Sequence, residues 1–300
     1  MDSFRIPSRL TPSGIRKSFS PSNVLHKAKK CYYWRSTNAP YLSQDGFASI
    51  CDAVVRPPAF RGLKSDWNSI KNARVLFCNG LDFHEFLDEN SSKLRAEIIV
   101  SGNSDFEIHD LPARLPRNLK RMYLQNSFIS DSSKIFTLPI GSESIRWAKN
   151  GFPKLLSSRD PSSPLLNRVL IGPFGATHKI RTQVVHDFLS VPGPWDVLNT
   201  RLNPSELSEL MKKYRWVASP RGNGVDTHRT WESLYRGVQP LVEADDWSNS
   251  LDYLKLPILK ISDWTPDTLN ELIAAAAQVE INPRKLAPLW LEYWADLFRN

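Results

Sequence analysis

The sequence holds no apolar run approaching 18 residues, so no stretch of it is a candidate transmembrane helix. Its first residues lack a continuous apolar segment, and no secretory signal is expected. Cysteine is scarce: Cys31, Cys51 and Cys78 are odd in number and widely spaced. No Cys-x-x-Cys pair occurs, which argues against zinc and a disulfide framework and suits a reducing compartment. Also missing are Asp-x-Asp, the Walker A pattern, His-Glu-x-x-His and Gly-x-Ser-x-Gly. Without them, a carboxylate-held metal, a P-loop, a zinc protease and a serine hydrolase lose their sequence support. No internal repeat of about 20–50 residues is evident, so a solenoid is not expected. These absences lead to the expectation of a cytoplasmic protein that needs no cofactor and no metal; organelle targeting by an Arg- and Ser-rich, acid-poor N-terminus is a minor alternative.

What is present is 300 residues with 41% hydrophobic content, enough for two cores of about 150 residues each. The net charge of +8 is local. Residues 1–64 hold eleven Lys and Arg against Asp2, Asp45 and Asp52, which accounts for the whole excess. The basicity therefore says little about the rest of the chain. Residues 1–30, rich in Ser, Pro, Arg and Lys, read as a flexible basic arm. The segment 1–64 offers weak contact to an anionic surface, whether lipid, glycan or nucleic acid.

Short apolar strands alternate with loops and helices along the remainder, the pattern of α/β sheets covered on both faces. In the first half the candidates are Cys31–Trp34, Ser49–Val55, Arg74–Cys78, Glu97–Val100, Leu119–Leu124 and Lys134–Ile140, with a helix over Leu81–Asn90. Pro153, Pro161, Pro164 and four serines crowd residues 151–167, a linker. Beyond it come strands at Arg168–Ile171, Trp195–Leu198, Trp216–Ala218, Pro240–Val242 and Leu256–Ile261. Helices are expected from a Thr177 cap through Phe188, over Pro204–Tyr214, from Pro266 to about Val279, and over 285–299. The domains read as 31–150, then 168–282, with a C-terminal helix over 283–300.

The chain is organised around Trp216–Val242, which reads strand, glycine loop, helix, strand. Gly222 and Gly224 allow close backbone approach to a ligand, Asn223 shapes the turn between them, and Asp226 sits where an N-cap belongs. A helix start beside such a loop suits a phosphate. Arg221 adds a forked cation for a diphosphate, Arg229 a second one, and Glu232 a carboxylate for ribose hydroxyls. Gly175 and Arg181, at the first turn of the second domain, are further donor-binding candidates. His228 and Glu232 stand at i, i+4, but two metal ligands without a third make a poor site.

Ser219-Pro-Arg-Gly-Asn-Gly-Val-Asp-Thr-His-Arg-Thr-Trp-Glu232 resembles the signature of exostosin-like glycosyltransferases and their microbial and viral relatives. The likeness extends through Gly237–Val242 and Leu256–Trp264, and upstream to Asn103-Ser-Asp105, Gln125-Asn126 and Leu138-Pro-Ile-Gly141. It covers roughly residues 95–265. What the resemblance implies is a GT-B architecture, two Rossmann-like domains facing each other across a cleft, with the helix at 283–300 returning to the first. It also implies sugar transfer from a nucleotide-diphosphate donor to a glycan, a glycoconjugate or another hydroxyl acceptor, with inversion.

Inverting transfer needs a base near the acceptor hydroxyl. Asp105 follows a strand and falls in the upstream match, so it ranks first; Asp82 and His84, after the preceding strand, come next. Two rival readings remain: a nucleotide- or glycan-binding module without turnover, and a nucleic-acid-binding protein using the basic arm.

Overall fold

The computed structural model describes residues 38–55, 65–129, 133–144 and 152–300. The basic arm, the expected Cys31–Trp34 strand and the start of the linker lie outside them. Two five-stranded parallel sheets, each in a Rossmann-like half, make up the α/β architecture. In the first sheet the strands are β1 (Ala53–Val55), β2 (Val75–Asn79), β3 (Ile98–Gly102), β4 (Arg121–Leu124) and β5 (Ile135–Thr137), and they lie in sequence order. The second holds β6 (Leu166–Ile171), β7 (Trp195–Val197), β8 (Tyr214–Ala218), β9 (Gln239–Glu243) and β10 (Leu259–Ile261). Its order is β10-β9-β8-β6-β7. The chain thus reverses direction across this sheet between β6 and β8, the place where open α/β sheets leave a crevice beyond the carboxyl ends of the strands.

Every residue of β2 and β3 is buried, which explains why these strands read as unbroken apolar runs rather than alternating ones. Their side chains split between two cores. Leu76, Cys78 and Ile99 face Phe83 and Leu87 of the helix α3 (Phe83–Asn90); Val75, Phe77 and Val100 face the other way. That second face shares one core with Trp231, Leu234 and Tyr235 of α6 (His228–Arg236) and with Trp294 and Phe298 of α9 (Leu291–Arg299). The two halves are therefore joined by apolar packing as well as by chain connection. The Tyr235 hydroxyl accepts from the Leu42 N–H at 2.8 Å and donates to the Leu289 carbonyl at 2.5 Å. The last helix lies on the first sheet, where the Arg74 Nη2 donates to the Phe298 and Arg299 carbonyls.

Several boundaries differ from the sequence reading. Ser49–Val55 is not one strand: α1 (Gln44–Ser49) precedes β1, its first turn fixed by the Ser43 hydroxyl accepting from Gly46 N–H. The helix α2 (Trp67–Asn72), unforeseen, starts at an Asp66 cap. The helix α4 (Lys179–Leu189) is capped by His178, not Thr177, because the Thr177 hydroxyl accepts from Arg181 instead. α5 (Pro204–Met211) carries a full capping box from Asn203 and Glu206. A short α7 (Asp246–Ser250) was also missed, and α8 (Pro266–Ala275) stops four residues early. The expected helix over 285–299 is interrupted: two 3₁₀ turns, one opened by Pro283 and one with Pro288 at its second position, precede α9.

Candidate functional site

A cavity of about 480 Å³ lies between the two halves. The first half contributes Asp105, beyond β3, with Ile140 and Glu143, beyond β5; the second contributes Phe174, Gly175 and Thr177, beyond β6, and much of Ser219–Glu232, beyond β8. The β8 loop is tied to its helix by three hydroxyls, with Ser219 Oγ 2.7 Å from Thr227 Oγ1 and 2.9 Å from Thr230 Oγ1. The helix that follows begins at Thr227, whose side chain makes no capping hydrogen bond, and Thr227, His228 and Arg229 line the cavity. A helix start left uncapped toward a cavity offers N–H donors and partial positive charge.

Asp226 is not the cap expected of it. Its Oδ2 accepts from the Ile140 N–H and its Oδ1 from the Trp231 indole, both at 2.7 Å, so the carboxyl clamps the two halves together. Burial pushes its pKa up to about 7, opposed by those same donors and by His228 and the Thr227 N–H. Across from it, Asn126 accepts the Asp226 N–H at 3.0 Å and donates to the Ser104 carbonyl. The glycines serve this packing. A Cβ on Gly224 would come within 2.7 Å of the Asn126 amide, and one on Gly222 within 2.9 Å of the Arg181 guanidinium.

Arg181 and Arg229 both reach the cavity. Arg181 donates to the Pro220 and Arg221 carbonyls and to Thr177 Oγ1. Arg229 donates to the Gly172 and Pro173 carbonyls at 2.9 Å each. Both guanidiniums sit over the Phe174 ring, 5.8 and 5.2 Å from its centroid, and neither makes an ion pair among the described residues. Desolvation lowers the pKa of each, that of Arg229 to about 10, so both stay charged near neutrality.

Arg221 does not line the cavity. Its Nη2 forms a close ion pair with Glu107 of the first half, and its charge also acts on Glu243 and Asp245. Three protein carboxylates already surround this cation, which is the physical reason it points away. Glu232 does line the cavity, with its Oε2 3.4 Å from the Arg236 guanidinium. Asp105 borders the cavity and accepts from Asn223 Nδ2 at 3.2 Å, a further polar bridge between the halves. Asp82 and His84 are elsewhere: Asp82 precedes α3, and His84 Nε2 is 3.1 Å from the Asp110 carbonyl. Neither borders the cavity.

Two cavity groups escaped the sequence reading. Glu143 follows the Leu138–Gly141 segment, and His228 was weighed only as a metal ligand with Glu232. His228 Nδ1 lies 2.9 Å from the Gly141 carbonyl, and Nε2 lies 3.7 Å from Glu143 Oε2. The signal for Glu143 was its place just past a strand's carboxyl end, the edge where sites gather in α/β folds. Among the described residues there is no group of three or more His, Cys, Asp or Glu placed to hold a metal ion. No helix among them is long and apolar enough to cross a membrane.

No family model matches the chain, and no curated protein matches it. Among solved structures it is similar to AviGT4, a glycosyltransferase involved in avilamycin A biosynthesis. The two share 11% identity over 75% of this chain and 83% of that one, with a TM-score of 0.34.

Proposed function

We propose that this protein is a metal-independent glycosyltransferase of GT-B architecture, moving a sugar from a nucleotide-diphosphate donor to a glycan or other hydroxyl acceptor with inversion. The observation that carries the reading is the pair Arg181 and Arg229: two cations held by carbonyls and a hydroxyl, stacked on one ring beside an uncapped helix start. Leaving two guanidiniums half-dehydrated with no ion-paired carboxylate, Glu232 acting on Arg229 only from beyond pairing distance, is unfavourable, and a diphosphate in the cavity would relieve it. The same groups would stabilise the charge that develops on the departing diphosphate, the part a metal plays elsewhere. Glu232, within the second turn of α6, is placed to accept ribose hydroxyls. The opposite wall, with Asp105 and Glu143, is where the acceptor would enter.

The test is a thermal-shift panel of nucleoside diphosphates and nucleotide sugars on the full chain. At least one should raise the melting temperature in a concentration-dependent way, because a ligand that binds the folded state stabilises it by mass action. A flat response across the panel sinks the reading. Release of nucleoside diphosphate from the binding donor, stimulated by an acceptor, separates a transferase from a binding module without turnover.

A further inference from the structure

We propose that His228 is the proton acceptor of the transfer, with Glu143 as the carboxylate that steadies its charged form; this rests on the sugar-transfer reading above. The ring's tautomer follows from its neighbours. A carbonyl oxygen can only accept, so the Nδ1 atom, 2.9 Å from Gly141 O, must carry a hydrogen. In the neutral ring Nε2 then holds the lone pair, and it is Nε2 that lies near Glu143. At 3.7 Å the carboxylate is beyond hydrogen-bond reach, yet near enough to favour an imidazolium once a proton arrives. The imidazole is about a third exposed and the Glu143 side chain about a quarter, both bordering the cavity.

The other carboxylates on this wall are committed. Asp226 has a donor on each oxygen, Glu232 faces Arg236, and Asp105 accepts from Asn223. His228 also precedes Arg229 in the first turn of α6, which sets it beside the group proposed to hold the phosphates. The step balances as follows. The acceptor O–H gives its proton to Nε2 while its oxygen forms the bond to the anomeric carbon. The bond from that carbon to the diphosphate breaks, and its electron pair leaves on the diphosphate. Imidazolium and nucleoside diphosphate remain, and the ring returns its proton to solvent. The pair is assembled across the cleft: His228 belongs to the second half, Glu143 and Gly141 to the first.

The groups facing the ring set its titration. Desolvation pulls the His228 pKa down, but Glu143, the Gly141 carbonyl, Glu232 and Asp226 together hold it above the ordinary value; Arg229, Arg181 and the Glu232-paired Arg236 are cations on the same cavity. The experiment uses the full chain, His228→Gln and Glu143→Gln. The donor probe is the nucleotide sugar that gives the largest thermal shift, with a mixture of monosaccharides and disaccharides as acceptors. H228Q should keep the nucleoside-diphosphate shift and lose about 100-fold or more in nucleoside-diphosphate release. In E143Q the acid limb of the rate–pH profile should move to lower pH, and so should the His228 midpoint followed by nitrogen-15 NMR. Unchanged release in H228Q overturns the proposal, and so does an unmoved midpoint in E143Q. Should H228Q fail to fold, the E143Q profile and midpoint decide. The NMR titration needs no substrate, so it judges the pair even if no nucleotide binds, an outcome that counts instead against the donor reading.

Discussion

The two sheets are built alike and used differently. Both are parallel, five-stranded and apolar along their central strands, and both send loops from the carboxyl ends of those strands. Among the described residues, only the second reverses its order, between β6 and β8. The loops after those two adjacent strands supply Phe174, Thr177, the Gly222–Gly224 turn and the start of α6 to the cavity. In the first sheet β2 lies between β1 and β3 with no reversal, and the Asp82 and His84 that follow it stay outside the cavity. Strand composition could not have told the two apart. In the second sheet the reversal sets which carboxyl ends open onto a crevice, whereas in the first the ends of β3 and β5 reach the cavity through the docking of the two halves.

The sharpest test of the contrast compares an aromatic side chain from each strand–loop–helix unit. Phe83 in α3 is wholly buried within the first half, whereas Trp231 in α6 is wholly buried in the core shared by both halves and donates to Asp226. Truncating either to alanine should cost about 3–5 kcal/mol in packing. Trp231→Ala also strips a donor from a buried carboxyl, adding about 1–3 kcal/mol. Urea unfolding should therefore rank W231A below Phe83→Ala; the reverse order would break the idea that α6 locks the halves together.

A somewhat smaller effect tests the same clamp through pH. The folded-state pKa of Asp226 is raised from 3.8 to about 7, so the folded protein holds a proton that the unfolded chain has released. The associated stability is complete below about pH 4 and declines as pH rises toward 7, by on the order of 3 kcal/mol. The difference in unfolding free energy between wild type and Asp226→Asn should fall across that window, the other carboxylates cancelling between the two. A difference that stayed flat or rose through it would contradict the burial that raises this pKa.

How much of this was legible in the chain varies with the physics involved. Buried parallel strands announce themselves as apolar runs, so each of the ten strands among the described residues overlaps an expected segment, with β1, β5 and β10 shorter than expected. Capping was half legible. Asn203 with Glu206 forms a local capping box, but the caps expected at Thr177 and Asp226 give way to other partners: Arg181 one turn on from Thr177, and for Asp226 the nearby Trp231 indole together with Ile140, 86 residues away in the other half. The site divides the same way. The glycine loop, Arg181, Arg229, Glu232 and Asp105 all reach the cavity, since strand ends and helix starts are local features. Which arginine turns inward depends on where a far-off carboxylate lies, and Glu107 is 114 residues away from Arg221. His228 and Glu143 come together only because the second sheet docks on the first, a contact that no spacing along the chain records.

That difference between the arginines gives the finest test. Arg221 is matched by Glu107, with Glu243 and Asp245 nearby, and a ligand phosphate would have to compete with charges already in place. Arg229 is held by the Gly172 and Pro173 carbonyls and makes no ion pair among the described residues, with only the longer-range pull of Glu232 on it, so most of its charge is available to an anion. Arg229→Gln should weaken nucleoside-diphosphate affinity by about 1.5–3 kcal/mol, roughly 10- to 150-fold, the worth of a charge-assisted contact. Arg221→Gln should change it by less than about 1 kcal/mol, within the range of a partly exposed ion pair. Lysine at 229 should restore little, because a point charge cannot hold two carbonyls and still lie flat on Phe174. Titration calorimetry with the best nucleoside diphosphate measures all three. If R221Q lost more affinity than R229Q, the diphosphate would belong on the Glu107 side of the loop, and the cavity beyond β6 and β8 would not be its site.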